Sequence, residues 1–140
     1  MEIIIKECAN NPSMPVMATN GSLYDMVADT GGDIHPGETK LFKSGFKMQV
    51  PEGYSLEVLS RSGMALKNAV WVANAPGIVD SDYRGEVGII LYNGGHGTYR
   101  VLRGDRIAQC RLVKNVKFEF THGPLSETER GEGGFGSTGK

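Results

Sequence analysis

Short runs of β-branched and aromatic residues, divided by Gly/Pro turns, restrict most strongly what this chain can form. Residues 86–92 (EVGIILY) are rich in β-branched and aromatic side chains, and residues 54–59 and 117–121 alternate between polar and apolar side chains. The uninterrupted apolar run 69–73 (AVWVA) predicts a strand buried on both faces. Only residues 62–68 (SGMALKN) indicate a helix, of at most about two turns. Strands of this length with regularly spaced turns predict an all-β sandwich or barrel with one short helix.

Length and charge indicate one domain without a surface for nucleic acid or membranes. A chain of 140 residues can bury roughly 65–70% of its unfolded surface, so its core needs no disulfide or metal. The 15 basic and 16 acidic residues leave no basic patch for nucleic acid or an anionic membrane. No apolar run is long enough for a transmembrane helix, and the N-terminus lacks a signal-peptide pattern. We therefore expect the protein in the cytoplasm, or in the host cytoplasm if it is viral.

The cysteines and histidines predict neither a disulfide nor a transition-metal site. Cys8 and Cys110 lie in apolar-leaning segments outside any CxxC pattern, which predicts two reduced, buried thiols. His35, His96 and His122 lie far apart and lack the spacing of zinc ligands. We expect no transition metal bound by protein side chains.

The composition changes at Gly123, which divides the chain into a β domain, 1–122, and a flexible Gly-rich C-terminal arm, 123–140. Leu125 and Phe135 are the only large apolar side chains of the arm, too few to offset its ordering entropy. The glycine patterns of dinucleotide-binding and P-loop sites both match within the arm. A loop precedes these glycines and no helix follows them, so we reject both motifs.

Four polar stretches interrupt the apolar strands, and each allows a functional or a structural interpretation. Residues 61–63 (RSG) could cradle a phosphate at a helix start or form an ordinary serine cap. Asp80 and Asp82 could share a water on one side of a strand or belong to a turn. Gln109 could donate to a ligand oxygen or face solvent, and Asp25 could hold a metal through water or cap a turn.

In this order, the stretches resemble the five motifs of the homotrimeric deoxyuridine triphosphate hydrolases, the dUTPases. Residues 77–86 (GIVDSDYRGE) are similar to the third motif almost letter for letter. Residues 61–65 (RSGMA), 104–109 (GDRIAQ) and 130–139 (RGEGGFGSTG) resemble the second, fourth and fifth. Residues 22–28 (SLYDMVA) keep the aspartate of the first motif but have leucine where the family usually has glycine. The resemblance implies a β jelly roll that hydrolyses dUTP to dUMP and pyrophosphate, keeping uracil out of DNA and supplying dUMP for thymidylate synthesis.

The resemblance also implies which residues act on the nucleoside and the scissile bond. Asp80 would be the general base for a water that attacks the α-phosphorus of dUTP. Tyr83 would lie against the deoxyribose and leave no room for a 2′-hydroxyl. Asn74, with the backbone around Gly77 and Val79, would bind the uracil edge.

Phosphate groups, a metal ion and neighbouring chains complete the implied site. Arg61, Ser62 and Gly63 would hold phosphate oxygens, and Gln109 would hold the α-phosphate. Mg²⁺ would sit mainly on the triphosphate and on waters held by Asp25. Three chains of a homotrimer would share each site, and the arm would close over a neighbour's site. The implied contacts of the arm are Arg130 with the γ-phosphate, Phe135 stacked on uracil, and Gly136, Ser137 and Thr138 with the phosphates.

Three alternatives remain at this point. A dCTP deaminase would share the fold, but its members usually carry Arg-Ser-Ser in the second motif and a third motif ending in a catalytic glutamate. Gly63 and the sequence DSDY at residues 80–83 argue against that enzyme. The second alternative is a regulatory protein on a dUTPase scaffold that binds an additional protein partner. The third is a purely structural trimeric jelly roll, for which polar residues inside strands would be a needless cost.

Overall fold

The computed structural model describes residues 1–139, which form eleven β-strands and one α-helix. Their bounds are β1 Ile4–Glu7, β2 Val16–Met17, β3 Tyr24–Val27, β4 Gly32–Ile34, β5 Thr39–Gln49, β6 Tyr54–Leu59, α1 Ser62–Asn68, β7 Val70–Val72, β8 Gly77–Val79, β9 Glu86–Asn93, β10 Tyr99–Val101 and β11 Arg106–Lys114. The predicted helix over 62–68 is confirmed.

Two larger sheets enclose the core. One has the strand order β1-β5-β9-β7, the other has the order β2-β3-β11-β6-β8, and β10 pairs with β4 in a separate ribbon. All pairings are antiparallel. Strand β9 shows why the sheets bury one face: Val87, Ile89 and Leu91 are buried, while the residues between them are partly exposed. From the second sheet Leu56, Val58 and Ile107 join the same core, which confirms the predicted all-β sandwich.

Helix α1 is short and mostly exposed. Met64 is its buried residue and anchors it to the core, whereas Leu66 is 87% exposed. The helix ends at Asn68, and the C-cap residue Ala69 has a left-handed backbone with φ of 53°. Within residues 1–139, no helix is long and apolar enough to cross a membrane.

Three local predictions from the sequence are wrong. Strand β7 is not buried on both faces, because Trp71 stays 38% exposed and packs against Tyr92 with ring centroids 5.1 Å apart. Residues 117–121 do not form a strand, since the last strand ends at Lys114 and no described strand pairs with them. Cys8 is an exposed thiol, and only Cys110 is buried.

Candidate active site

Strands β3, β11 and β6 lie side by side and bring together residues that are far apart in the sequence. Asp25 of β3 pairs with Gln109 of β11, and Gln109 pairs on its other side with Leu59 of β6. Arg61 follows two residues after Leu59, at the start of helix α1. We name Asp25, Arg61 and Gln109 the carboxylate cluster.

Asp25 is the centre of the carboxylate cluster. It is only 4% exposed, and its charge is compensated by donors from three directions. Gln109 Nε2 donates to Oδ1 at 3.1 Å, Arg61 Nε lies 3.5 Å from the same oxygen, and Arg106 Nη1 donates to Oδ2 at 3.3 Å. The contact between Arg106 and Asp25 was not predicted from the sequence, although Arg106 belongs to the GDRIAQ stretch.

Cys110 lies next to Gln109 in β11 and is buried. Burial raises the pKa of the Cys110 thiol to about 11, and the Asp25 carboxylate adds to this shift. Burial and a raised pKa both make a thiol a poor nucleophile.

The helix start beside the cluster is open to solvent. Arg61 occupies the N-cap position without a side-chain capping bond, and its Nη1 donates to the Arg106 carbonyl at 2.7 Å. Ser62 and Gly63 are exposed, and no atom lies within 4 Å of where a Cβ of Gly63 would be. Ser62 is therefore not the serine cap that the structural alternative required, and a ligand has room at Gly63.

The hairpin from β7 to β8 is closely packed. Asn74 Nδ2 lies 3.2 Å from where a Cβ of Gly77 would be, and the Val58 side chain lies 3.4 Å from it. Glycine at 77 therefore lets Asn74 lie directly over the start of β8. Asn74 is exposed, and Val79 is buried at the end of the same strand.

Residues 80–83 form a turn rather than a continued strand. The Tyr83 amide donates to the Asp80 carbonyl at 3.2 Å, and both Asp80 and Asp82 are exposed. The Tyr83 hydroxyl donates to the Glu86 carbonyl at 3.0 Å, which holds the ring over Gly85. A cleft of about 170 Å³ opens here, and its lining residues are Ile78, Val79, Asp80, Tyr83, Val87 and Gly88. We name it the turn cleft.

The turn cleft and the carboxylate cluster are separate within one chain. Val79 pairs with Leu56 on β6, whereas Gln109 pairs with Leu59, so the two sites are offset by roughly 10 Å along the strand. Three inter-strand spacings, about 14 Å, separate β3 from β8 across the sheet. Asp80 and Tyr83 therefore do not meet Asp25 within one chain.

The arm lies apart from both sites. Within residues 1–139, no hydrogen bond joins residues 116–139 to the rest of the chain, and Phe135 is fully exposed. The hydrogen bonds of the arm are local; for example, Arg130 Nε donates to the Gly133 carbonyl at 2.7 Å. Gly136, Ser137 and Thr138 lie in a turn region of the arm, and Lys140 lies outside the described residues.

The leucine of the first motif does not need the conformation that glycine favours. Among residues 1–139, the non-glycine residues with positive φ are Asn11, Ala69 and Phe135, so Leu23 is not one of them. The Leu23 carbonyl accepts from the Ala18 amide at 2.9 Å, and β3 begins at the next residue. Leu23 therefore has an ordinary backbone conformation, and Asp25 two residues later pairs with Gln109 in the sheet.

Comparisons with known proteins give one consistent result. Residues 10–139 match the family model for dUTPase. A deoxyuridine 5′-triphosphate nucleotidohydrolase of Caulobacter vibrioides is 42% identical over 147 residues, covering 99% of this chain and 95% of its own length. Its counterpart in Beijerinckia indica is 50% identical over 108 residues, covering 76% of this chain and 67% of its own length. The solved structure of Staphylococcus bacteriophage 80alpha dUTPase with dUPNHPP has a TM-score of 0.88 at 27% identity and covers 99% of both chains, which confirms the jelly-roll prediction.

Proposed function

This chain belongs to the dUTPase family, whose members hydrolyse dUTP to dUMP and pyrophosphate, and we propose that its active site is shared between chains of a homotrimer. The observation that carries the proposal is the separation of the turn cleft from the carboxylate cluster within one chain. Both hold residues of the family motifs, so a complete site needs the turn cleft of one chain and the carboxylate cluster of another.

The turn cleft binds the nucleoside and activates water. Asp80 is the general base that accepts a proton from the water attacking the α-phosphorus, and its exposure leaves it free for that contact. Tyr83 packs against the deoxyribose, and its bond to the Glu86 carbonyl fixes the ring where it blocks a 2′-hydroxyl. Asn74 and the backbone at Gly77 and Val79 bind the uracil edge.

The carboxylate cluster binds the phosphates. Arg61, Ser62 and Gly63 donate to phosphate oxygens from the open helix start, and the Gln109 amide holds the α-phosphate. Together these groups hold the triphosphate in line with the attacking water and stabilise charge that develops during the reaction.

Mg²⁺ fits this site through water. Among residues 1–139, no three side chains of His, Cys, Asp or Glu are grouped to hold a metal. Asp25 already accepts from Gln109 and Arg106, which leaves acceptor capacity for a water on the ion. Mg²⁺ carried by the triphosphate would neutralise phosphate charge, and Asp25 would orient its hydration shell.

The arm closes over the site of a neighbouring chain. Among the described residues, neither the arm nor residues 116–122 before it make a hydrogen bond to the rest of the chain. Arg130 then pairs with the γ-phosphate, and Phe135 gains an apolar surface by stacking on uracil. Gly136, Ser137 and Thr138 donate to the phosphates, and closure excludes water.

A nucleotide panel combined with a mass measurement tests the proposal. Pyrophosphate release should be fast from dUTP with Mg²⁺ and slow from UTP, dCTP and dTTP, and chelation of Mg²⁺ should slow it. Light scattering should give three times the 15.1 kDa chain mass at the assay concentration. Release of ammonia from dCTP would indicate a deaminase instead, and an active monomer would contradict the shared site.

A further inference from the structure

Strand β11 contains a β-bulge next to the carboxylate cluster. Arg106 pairs with Val27 and Ala108 pairs with Met26, so two steps along β11 match one step along β3. The extra residue is Ile107, which is 1% exposed and fixed in the core. Bulges commonly redirect side chains near functional sites.

The bulge decides where the Arg106 side chain points. In a regular strand, residues 106 and 109 would face opposite sides of the sheet, because side chains alternate. The extra residue reverses that alternation, and both side chains reach the same carboxylate. Arg106 Nη1 lies 3.3 Å from Asp25 Oδ2, and Gln109 Nε2 lies 3.1 Å from Oδ1.

Arg106 also holds Arg61. The Arg106 carbonyl accepts from Arg61 Nη1 at 2.7 Å, and the two guanidinium groups contact opposite oxygens of Asp25. Without the Arg106 side chain, Arg61 would be the only guanidinium beside a carboxylate that is 4% exposed. A buried carboxylate needs a partner, so Arg61 would be drawn toward Asp25 and away from a bound phosphate.

We propose that Arg106 is a positioning residue of the phosphate site: it shares the charge of Asp25 with Arg61, so that the remaining donors of Arg61 and Gln109 are available to the triphosphate. The inference deepens the proposed function and rests on the assignment of Arg61 and Gln109 to the phosphates. The bulge at Ile107 is the structural feature that makes this contact, since it brings Arg106 to the side of Asp25.

Arg106→Met tests the inference, with Arg111→Met as a matched control. Arg111 lies on the same strand, and its Nε lies 2.9 Å from Glu57 Oε2. The two arginine side chains are similarly exposed, 54% for Arg111 and 50% for Arg106. We expect Arg106→Met to lower kcat/KM for dUTP by about 10- to 100-fold, which is the loss expected when a group that binds substrate is misplaced. Inhibition by pyrophosphate should weaken, while inhibition by deoxyuridine, which lacks phosphates, should not change. Arg106→Lys, which keeps the charge, should restore most of the activity.

A double-mutant cycle with Arg61→Met separates positioning from direct binding. If Arg106 acts through Arg61, its substitution has little further effect in the Arg61→Met background. Additive losses, a loss of deoxyuridine inhibition, or an Arg106→Met variant that matches Arg111→Met would each overturn the inference. If Arg106→Met melts well below wild type, the cycle is run with Arg106→Gln instead. Wild-type protein that releases no pyrophosphate from dUTP would refute the proposed function itself, independently of the variants.

Discussion

Asp80 and Asp82 are two exposed carboxylates of the same turn, and they allow a matched test of the general base. We expect Asp80→Asn to lower kcat by about 10²–10⁴-fold with little change in KM, because the amide cannot accept the proton of water. Asp82→Asn removes the same charge two residues away and should stay close to wild type. Steady-state pyrophosphate release measures both, and equal losses in the two variants would mean that the charge of the turn matters rather than Asp80.

Gly85 determines whether the Tyr83 ring can occupy its observed position. A Cβ at residue 85 would lie only 2.5 Å from Tyr83 Cζ, so a side chain there must displace the ring. We expect Gly85→Ala to reduce the preference for dUTP over UTP, measured as the ratio of the two kcat/KM values. Gly97→Ala is the control, since no atom lies within 4 Å of a Cβ there and its φ is not positive. An unchanged ratio in Gly85→Ala would assign the rejection of the 2′-hydroxyl to another residue.

Among the secondary-structure elements, the sequence predicted best those that local chemistry determines. The helix over 62–68 and the strand at 86–93 are formed as their residue patterns predict. Residues 117–121 alternate equally well, yet Phe118 and Phe120 are 74% and 94% exposed. An alternating polar and apolar sequence is compatible with a strand, but a strand also needs a neighbouring strand with free hydrogen-bonding groups. That neighbour cannot be identified from a local pattern.

The arm is an element whose loss should leave the fold intact. Because no hydrogen bond joins residues 116–139 to the domain, truncation after Glu129 should not change the melting temperature. Hydrolysis of dUTP should nearly cease, since the arm's proposed contacts with phosphate and uracil are removed.

Two single substitutions give the corresponding test without truncation. Phe135 and Leu125 are both fully or almost fully exposed apolar side chains of the arm. Phe135→Ala should raise KM for dUTP, whereas Leu125→Ala should not. Equal effects would indicate that the arm acts through general hydrophobicity rather than by stacking on the base.

At the scale of the whole molecule, the sequence predicted candidate site residues but not the distances between them. Asp25, Arg61 and Gln109 are separated widely in the sequence, and only the register of β3, β11 and β6 brings them together. The contact from Arg106 depends on a one-residue bulge, which a regular alternating pattern does not reveal. The separation of Asp80 from this cluster likewise follows from strand order, and it is the reason for expecting a site between chains.

Mixing two impaired variants tests the shared site directly. Asp80→Asn damages the turn cleft and Arg61→Met damages the carboxylate cluster, so a mixed trimer can contain sites with both parts intact. Random assembly from equal amounts should restore about a quarter of the sites, because each intact part is present in half of the chains. The control is a mixture of Asp80→Asn with Tyr83→Ala, which damage the same part and should restore nothing. Chains are unfolded and refolded together, and dUTP hydrolysis is compared with the sum of the separate variants. Recovery in neither mixture would show that each chain builds its site alone, and recovery in both would show that Asp80 and Tyr83 serve different sites.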